Sequence, residues 1–236
     1  IEVQYKVDES KVEKPKLDFN KICTIDIGLN ILAAITYDQN RPILINGRIL
    51  KSINQWFNKN QCKSRSKKRY FQIENYFHHV SKSIIDLCAK NKIGHIIIGK
   101  NLGWKQELNL GKKTNQAFQC IPFCNLIQKI EYKAKMVGIA VTLTEESYTS
   151  KASFYDNDPV PIYDPEIKHK FSGKRKHRGL YVTQDGFAIN ADVNGSLNIG
   201  RKVIPEFSGI RDRSLAARPL VINPLKANGE GWSINA

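Results

Sequence analysis

The sequence lacks long hydrophobic runs. No apolar stretch approaches the roughly 18 residues that a membrane-spanning helix needs, and the N-terminal residues lack the basic, apolar and small-residue blocks of a signal peptide. Because hydrophobic residues still make up 41% of the chain, it can bury a core and is not a disordered polymer. These features predict a soluble, cytoplasmic globular protein that does not bind a membrane.

Methionine and cysteine are scarce. The one methionine is Met136, and the first residue is Ile1, which indicates the C-terminal part of a longer protein. The five cysteines are odd in number and lie mostly in apolar stretches. This pattern is typical of reduced thiols in a cytosolic protein.

Acidic residues are too few to balance the basic ones. Asp and Glu number 22 against 37 Lys and Arg, which gives a net charge of +15. Because cations that line phosphates release counterions, the excess predicts a nucleic acid partner. An anionic membrane surface is the alternative, but no strongly amphipathic basic helix supports it. Two runs without acidic residues supply the expected contacts: Lys63, Arg65, Lys67, Lys68 and Arg69 in residues 58–69, and Lys174, Arg175, Lys176 and Arg178 in residues 168–178.

Hydrophobic periodicity predicts an α/β fold. Three short β-branched runs precede apolar residues at helical spacing, and strands then alternate with helices. Strands separated by helices imply parallel crossovers, so we expect a mixed five-stranded sheet with helices on both faces. The predicted strands are 22–27, 31–37, 43–45, 95–98 and 139–143, and the predicted helices are 73–90, 123–137 and 192–201.

Two aspartates are candidate metal ligands. Asp26 lies within an otherwise apolar strand, where an unpaired carboxylate is costly and a bound cation would remove that cost. Asp192 lies where the last helix is expected to begin. The simpler interpretations are that Asp26 belongs to a turn with Gly28 and that Asp192 is a helix N-cap. Together, on elements that can meet, the two carboxylates favour a divalent-metal site for phosphodiester hydrolysis.

Four ordered motifs resemble a known family. TIDIGLNILAAITYD, IIIGKNLGWKQ, YKAKMVGIAVTLTEESYTSKASFYD and INADVNGSLNIGRKV resemble the RuvC motifs of TnpB-type (OrfB) proteins, the transposon-encoded RNA-guided DNA endonucleases. The resemblance implies an RNase H-like (RuvC) fold with Asp26 and Asp192 as ligands of Mg²⁺ or Mn²⁺. It also implies guide RNA and target DNA as partners, and we expect a monomer associated with the nucleoid of a prokaryote.

The resemblance also implies a domain organisation. Residues 1–20 resemble the end of a preceding wedge-like domain and a linker, and residues 21–205 resemble the nuclease domain. Within it, residues 152–190 form a basic loop where many relatives have a zinc ribbon. This loop contains no cysteine, so no zinc is expected. Residues 206–236 are predicted to be an irregular tail.

The second metal-binding motif departs from the usual pattern. Gly99 stands where relatives have a glutamate, and glycine has no side chain to bind a metal. Either the nuclease is inactive, or the carboxylate comes from Glu145 or Glu146 after the next strand; we favour relocation. Alternation along a strand would place the two glutamates on opposite faces, so one of them is expected to bind metal.

Other residues beside the expected site are candidates for nucleic-acid contact. Trp104 and Lys105 follow the fourth strand, and Lys151 follows the two glutamates; an aromatic plane and nearby cations can hold a single strand. Cys120 and Cys124 are interpreted as packing residues. The favoured function is an RNA-guided DNA endonuclease. A nuclease-inactive RNA-guided DNA-binding repressor is the alternative, and a strand-transferring transposase is the least favoured hypothesis.

Overall fold

The computed structural model describes residues 15–60, 62–100 and 121–226. The predictions for residues 1–14, at the end of the preceding wedge-like domain and in the linker, and for Trp104, Lys105 and Cys120 therefore lie outside the described residues.

A six-stranded mixed sheet forms the centre of the fold. Its strands are β1 (Asp18–Ile27), β2 (Ile31–Tyr37), β3 (Ile43–Asn46), β4 (Ile93–Gly99), β5 (Ala140–Thr144) and β9 (Leu220–Ile222), in the spatial order β5-β4-β1-β2-β3-β9. β1, β2 and β3 form an antiparallel meander, whereas β4 is parallel to β1 and β5 is parallel to β4. The parallel pairs follow from the helical crossovers between these strands. The predicted mixed α/β sheet is confirmed, but the predicted number of five strands is wrong, because the described residues form six.

Helices cover both faces of this sheet. On one face lie α1 (Arg48–Lys59), α2 (Lys63–Lys90) and α3 (Phe123–Val137), whose apolar residues share the larger core with β1 and β4. On the other face lies α4 (Ala191–Val203), which packs in a smaller core with residues of β2 and β3. A helix with apolar residues at three- and four-residue spacing buries one stripe in this way. Helices on both faces were predicted, and the structure confirms them.

A second, three-stranded antiparallel sheet lies in the segment that was expected to be a loop. It consists of β6 (Lys174–His177), β7 (Leu180–Val182) and β8 (Ala188–Asn190). β6 is exposed along its whole length, so its sequence has no apolar alternation from which a strand could be predicted. β8 leads directly into α4. The small sheet therefore positions the start of that helix.

Several element boundaries differ from the predictions. α2 begins at Lys63, ten residues before the predicted start at Ile73, and α1 was not predicted. β1 begins at Asp18, within the expected linker. The segment after residue 205 is not wholly irregular, because α5 (Arg213–Ala217) and β9 lie in it, and β9 pairs in parallel with β3 as a sixth strand. Leu220 N donates a hydrogen bond to Pro42 O at 2.7 Å in this pairing.

Candidate active site

Asp26 lies on β1 and faces α4. A Cβ atom added at Gly195 of α4 would lie 2.6 Å from Asp26 Oδ2. Glycine at this position therefore lets the helix approach the carboxylate closely. The space beside Asp26 depends on a backbone position in a helix that is distant in the sequence.

Asp192 lies in the first turn of α4. The side chain of Asn190 caps this helix, because Asn190 Oδ1 accepts hydrogen bonds from Asp192 N at 2.9 Å and Val193 N at 3.1 Å. The interpretation of Asp192 as the N-cap is therefore wrong. Its carboxylate instead accepts a hydrogen bond from Arg175 Nη2 of β6 at 3.2 Å.

Glu146 occupies the space beside Gly99. β4 and β5 are neighbours, with Gly99 opposite Thr144 at the end of the pairing, and Glu146 follows two residues later. A Cβ atom added at Gly99 would lie 2.8 Å from both Cγ and Oε1 of Glu146. The Glu146 side chain thus fills the position from which a side chain at residue 99 would extend.

Glu145 has different partners. Its carboxylate forms an ion pair with Lys202 of α4, whose side chain is 8% exposed, and Glu145 Oε2 accepts a hydrogen bond from Ser147 N at 2.8 Å. Burial raises the pKa of Glu145, but the hydrogen bonds from Lys202 and Ser147 outweigh it, so that the pKa lies below the usual value. Glu145 is therefore a charged partner of α4.

The negative charges of Glu146 and Asp192 act on the buried carboxyl group of Asp26. The pKa of Asp26 is raised well above its usual value, first by burial and then by the negative charges of Glu146 and Asp192, whereas the charge of Arg175 lowers it. A bound cation would reduce the repulsion between these negative charges. Within residues 15–60, 62–100 and 121–226, however, no three His, Cys, Asp or Glu side chains already form a group that could hold a metal ion.

Polar side chains of α4 hold the chain that follows Glu146. Asn194 Nδ2 donates to Ala152 O at 2.8 Å, and Asn198 Nδ2 donates to Thr149 O at 2.9 Å. Lys202 Nζ donates to Ser147 O at 2.9 Å and to Pro161 O at 3.0 Å. Lys202 was not singled out from the sequence, because a lysine in the last turn of a helix is usually solvated. A buried amide needs hydrogen-bond partners, and the asparagines in NADVNGSLN carry that signal.

The predicted basic residues fall into two described groups. Lys63, Arg65, Lys67 and Lys68 are exposed at the start of α2, and Arg69 beside them donates a hydrogen bond to Asn54 Oδ1 at 2.6 Å. The guanidinium of Arg65 and the ammonium of Lys68 lie 5.7 and 5.8 Å from the ring centroid of Trp56. The second group is exposed on β6 and the turn after it, and it comprises Lys174, Arg175, Lys176 and Arg178.

The remaining predictions concern cysteine and lysine residues. Cys23 and Cys88 are buried, whereas Cys62 and Cys124 are exposed and all four are free thiols. The interpretation of Cys124 as a packing residue is therefore wrong. Lys151 is exposed, with its ammonium 5.7 Å from the ring centroid of Tyr148. None of the helices in the described part of the chain is long and apolar enough to cross a membrane.

The sequence that carries this arrangement is similar to known proteins. Residues 123–199, which include Glu146 and Asp192, match the family described as Cas12f1-like, TNB domain. The chain is also 23% identical over 219 residues to the TnpB-like protein ORF457 of Acidianus two-tailed virus, and the match covers 82% of this chain and 44% of the relative. The resemblance to TnpB-type proteins is confirmed.

Two solved structures share the fold with this chain. A Cas12f1-sgRNA-target DNA complex matches with a TM-score of 0.54 and 19% identity, covering 82% of this chain and 52% of that chain. A CRISPR-Cas12f ternary complex matches with the same TM-score and identity, covering 84% and 41%. The predicted α/β class, with a mixed sheet and helices on both faces, is thereby confirmed. The chain spans about half the length of these relatives or less.

Proposed function

We propose that this chain is the nuclease part of a transposon-associated, RNA-guided DNA endonuclease of the TnpB type. Its reaction is the hydrolysis of DNA phosphodiesters with two Mg²⁺ or Mn²⁺ ions, and its metal ligands are Asp26, Glu146 and Asp192. The position of Glu146 against Gly99 carries this proposal. It places a carboxylate at the end of β4 although the sequence there has a glycine.

The residues present are suited to divalent metal. Magnesium and manganese favour carboxylate oxygens, and glycines at positions 99 and 195 leave room for the carboxylates of Glu146 and Asp26. The negative charges that raise the pKa of Asp26 converge on the same place. Bound there, two metal ions would stabilise the attacking and leaving oxygens of a phosphodiester.

The other charged residues near the site are proposed not to bind metal. Their role is to hold the metal ligands and the nucleic acid in position. Arg175 is 3.2 Å from Asp192 and is partly exposed, so its guanidinium can also reach a phosphate oxygen of a bound strand. Glu145 is held by Lys202 and keeps the turn that carries Glu146 against α4. This division of roles assigns the relocated metal ligand to Glu146 and leaves Glu145 as a positioning residue.

Guide RNA and target DNA are the proposed partners. The Cas12f1 structure with the same fold is a complex with both, and the exposed cations at the start of α2 and along β6 can contact phosphates of either. We propose a monomeric protein for this complex.

Cleavage assays test the ligand assignment. With the intact protein, guide RNA, Mg²⁺ and matching DNA, we expect Asp26→Ala and Glu146→Gln each to abolish cleavage while guide-dependent DNA binding persists. Glu145→Gln is the comparison variant. It removes a neighbouring carboxylate but keeps an oxygen that Lys202 can contact, so we expect reduced but measurable cleavage. Cleavage by Glu146→Gln at the parent rate, together with its loss in Glu145→Gln, would reverse the assignment of the two glutamates.

A nuclease-inactive, RNA-guided DNA-binding repressor is the second candidate. It is favoured by the pairing of Asp192 with Arg175, since this cation occupies one oxygen of a proposed metal ligand. If the parent protein binds DNA in a guide-dependent way but cuts none over a range of Mg²⁺ and Mn²⁺ concentrations, the repressor function replaces the nuclease.

A further inference from the structure

An aromatic cluster begins two residues after Glu146. The ring of Tyr148 lies 6.2 Å from that of Tyr163 in a stacked arrangement, 5.0 Å from His169 edge-on, and 5.8 Å from Phe171. We name these four residues the Tyr148 cluster. Tyr148 has a φ of 62°, a backbone conformation that is uncommon for a large side chain. The turn therefore accepts an unfavourable backbone conformation while presenting this ring to the other three.

The cluster is incompletely covered. Tyr163 is 65% exposed although its ring stacks on Tyr148, and the adjacent Ile162 is 75% exposed. A tyrosine whose only role is packing would bury most of its ring, since burial is the source of its stabilising effect. The ring of Tyr163 is instead accessible to solvent, with one face stacked on the ring of Tyr148.

Three lysines lie close to these aromatic residues along the chain. The ammonium of Lys151 lies 5.7 Å from the ring centroid of Tyr148, and Lys168 and Lys170 are exposed on either side of His169. Aromatic rings with cations beside them bind single-stranded nucleic acid, because the bases stack on the rings while the cations contact the phosphates. The same arrangement does not suit an uncharged apolar ligand.

The cluster is fixed to the proposed active site. Lys202 of α4 donates hydrogen bonds to Ser147 O and to Pro161 O, so that it joins the turn of Tyr148 and the segment of Tyr163. The same helix carries Asp192 in its first turn. A strand that stacks on Tyr163 would therefore be linked, through Lys202, to the turn that carries Glu146 and to the helix that carries Asp192.

We propose that the exposed ring of Tyr163 stacks on an unpaired base of a single strand and holds that strand beside Asp26, Glu146 and Asp192. The proposal rests on the proposed function, because Tyr163 would position the strand that the site is proposed to cut. The shared chemistry is the face of a base, which DNA and RNA single strands both present. Tyr163 is a positioning residue in this proposal and takes no part in bond breaking.

Fluorescence of 2-aminopurine tests the stacking directly. The full chain is titrated, without divalent metal, into oligo(dT) and oligo(rU) strands that each contain one 2-aminopurine, whose emission is quenched when it stacks on an aromatic ring. We expect Tyr163→Leu to weaken binding by about fivefold to a hundredfold, the range for loss of one stacked base, and to lose the quenching. Tyr163→Phe keeps the ring and should keep both. Ile162→Ala is the matched control at the adjacent exposed residue, and we expect it to bind as the parent does.

The outcomes separate this proposal from the nuclease proposal. Equal affinity and quenching in the parent and in Tyr163→Leu, or no binding by the parent, would overturn the stacking site without affecting the carboxylate assignments. Cleavage by Asp26→Ala would overturn the nuclease and leave the binding result standing. Tighter binding of the parent to one of the two oligonucleotides identifies whether DNA or RNA is the strand that stacks.

Discussion

Asp26 is a residue whose charge costs folding energy and serves the proposed chemistry. Its pKa is raised by burial and by Glu146 and Asp192. For a group whose folded pKa lies above its unfolded value, the stabilising contribution is fully present below the ordinary value of 3.8 and is lost as pH rises through the folded pKa. Near neutral pH this raised pKa therefore opposes folding until a cation binds beside Asp26.

This sign gives a prediction for Asp26→Asn. In a buffer with chelator near neutral pH, we expect the variant to melt about 2–4 °C above the parent, the change that roughly 1 kcal/mol causes in a domain of this size. Added Mg²⁺ should raise the melting temperature of the parent, because it binds the folded state, and should raise that of the variant less. Differential scanning calorimetry measures both effects.

The matched control for this prediction is Asp38→Asn. Asp38 is 43% exposed in its side chain and lies 3.7 Å from Lys21, so its removal should change the melting temperature little. A lower melting temperature for Asp26→Asn in chelator, or the same Mg²⁺ response in variant and parent, would contradict the account of Asp26.

The sequence alone identifies some of the candidate metal ligands and does not distinguish between others. Asp26 and Asp192 were predicted as ligands because each has a recognisable position. Asp26 interrupts an apolar strand, and Asp192 lies at a helix start. Glu145 and Glu146 could not be separated by strand alternation, since β5 ends at Thr144 and both glutamates lie beyond it. Their difference depends on Lys202 and Gly99, which lie far away in the sequence, and such long-range contacts leave no periodic signal.

Among the elements, the pairing of β4 with β5 supports the proposed relocation of a metal ligand from residue 99 to residue 146. Gly99 and Thr144 are opposite each other, so a side chain extending from residue 99 and one returning from residue 146 can fill the same volume. A carboxylate at either position can face Asp26. The sheet thereby permits two sequence solutions for one site.

A double substitution tests this equivalence. We expect Glu146→Gly to abolish cleavage, and Gly99→Glu alone to impair it, because the new side chain would collide with Glu146 and with Ile199 Cδ1, 2.5 Å from the added Cβ. The combination Gly99→Glu with Glu146→Gly should recover part of the activity in a quantitative cleavage assay, since one carboxylate again fills the space.

The control for the exchange is Gly99→Gln combined with Glu146→Gly. Glutamine has the same shape and no charge, so this pair should fold and remain inactive. Equal inactivity of the glutamate and glutamine pairs would show that β4 cannot supply the ligand in this chain.

The elements that sequence patterns did not predict share a physical cause. β6 is exposed and highly charged, β8 has only three residues, and β9 pairs with β3 through backbone hydrogen bonds that need no particular side chains. Hydrophobic periodicity reports burial on one face, so it predicts α3 and β2 well and these elements poorly.

Across the whole molecule, the excess of 15 positive charges should appear as salt-dependent binding. We expect the affinity for double-stranded DNA of random sequence to fall linearly with the logarithm of salt concentration. Replacing Lys63, Lys67 and Lys68 by alanine should reduce the magnitude of that slope by about 2–3, since each phosphate contact contributes about 0.9. Fluorescence anisotropy over a salt series measures the slope.

The effect of the net charge on this slope must be distinguished from the effect of where the charges lie. The control replaces Lys82, Lys90 and Lys135, which are exposed elsewhere on α2 and α3, by alanine and so removes the same charge. We expect the slope of this variant to stay closer to that of the parent. Equal slopes for the two triple variants would mean that the start of α2 does not contact DNA.

The late position of α4 in the chain has a consequence for biosynthesis. During translation β1 emerges with Asp26 long before α4 emerges with Asp192 and Lys202. Until then Asp26 has no partner carboxylate from this helix, and the turn of Glu146 has no lysine to hold it. A nascent chain stalled before residue 191 therefore carries an unfinished site, and we expect the proposed nuclease activity to appear only after α4 has left the ribosome.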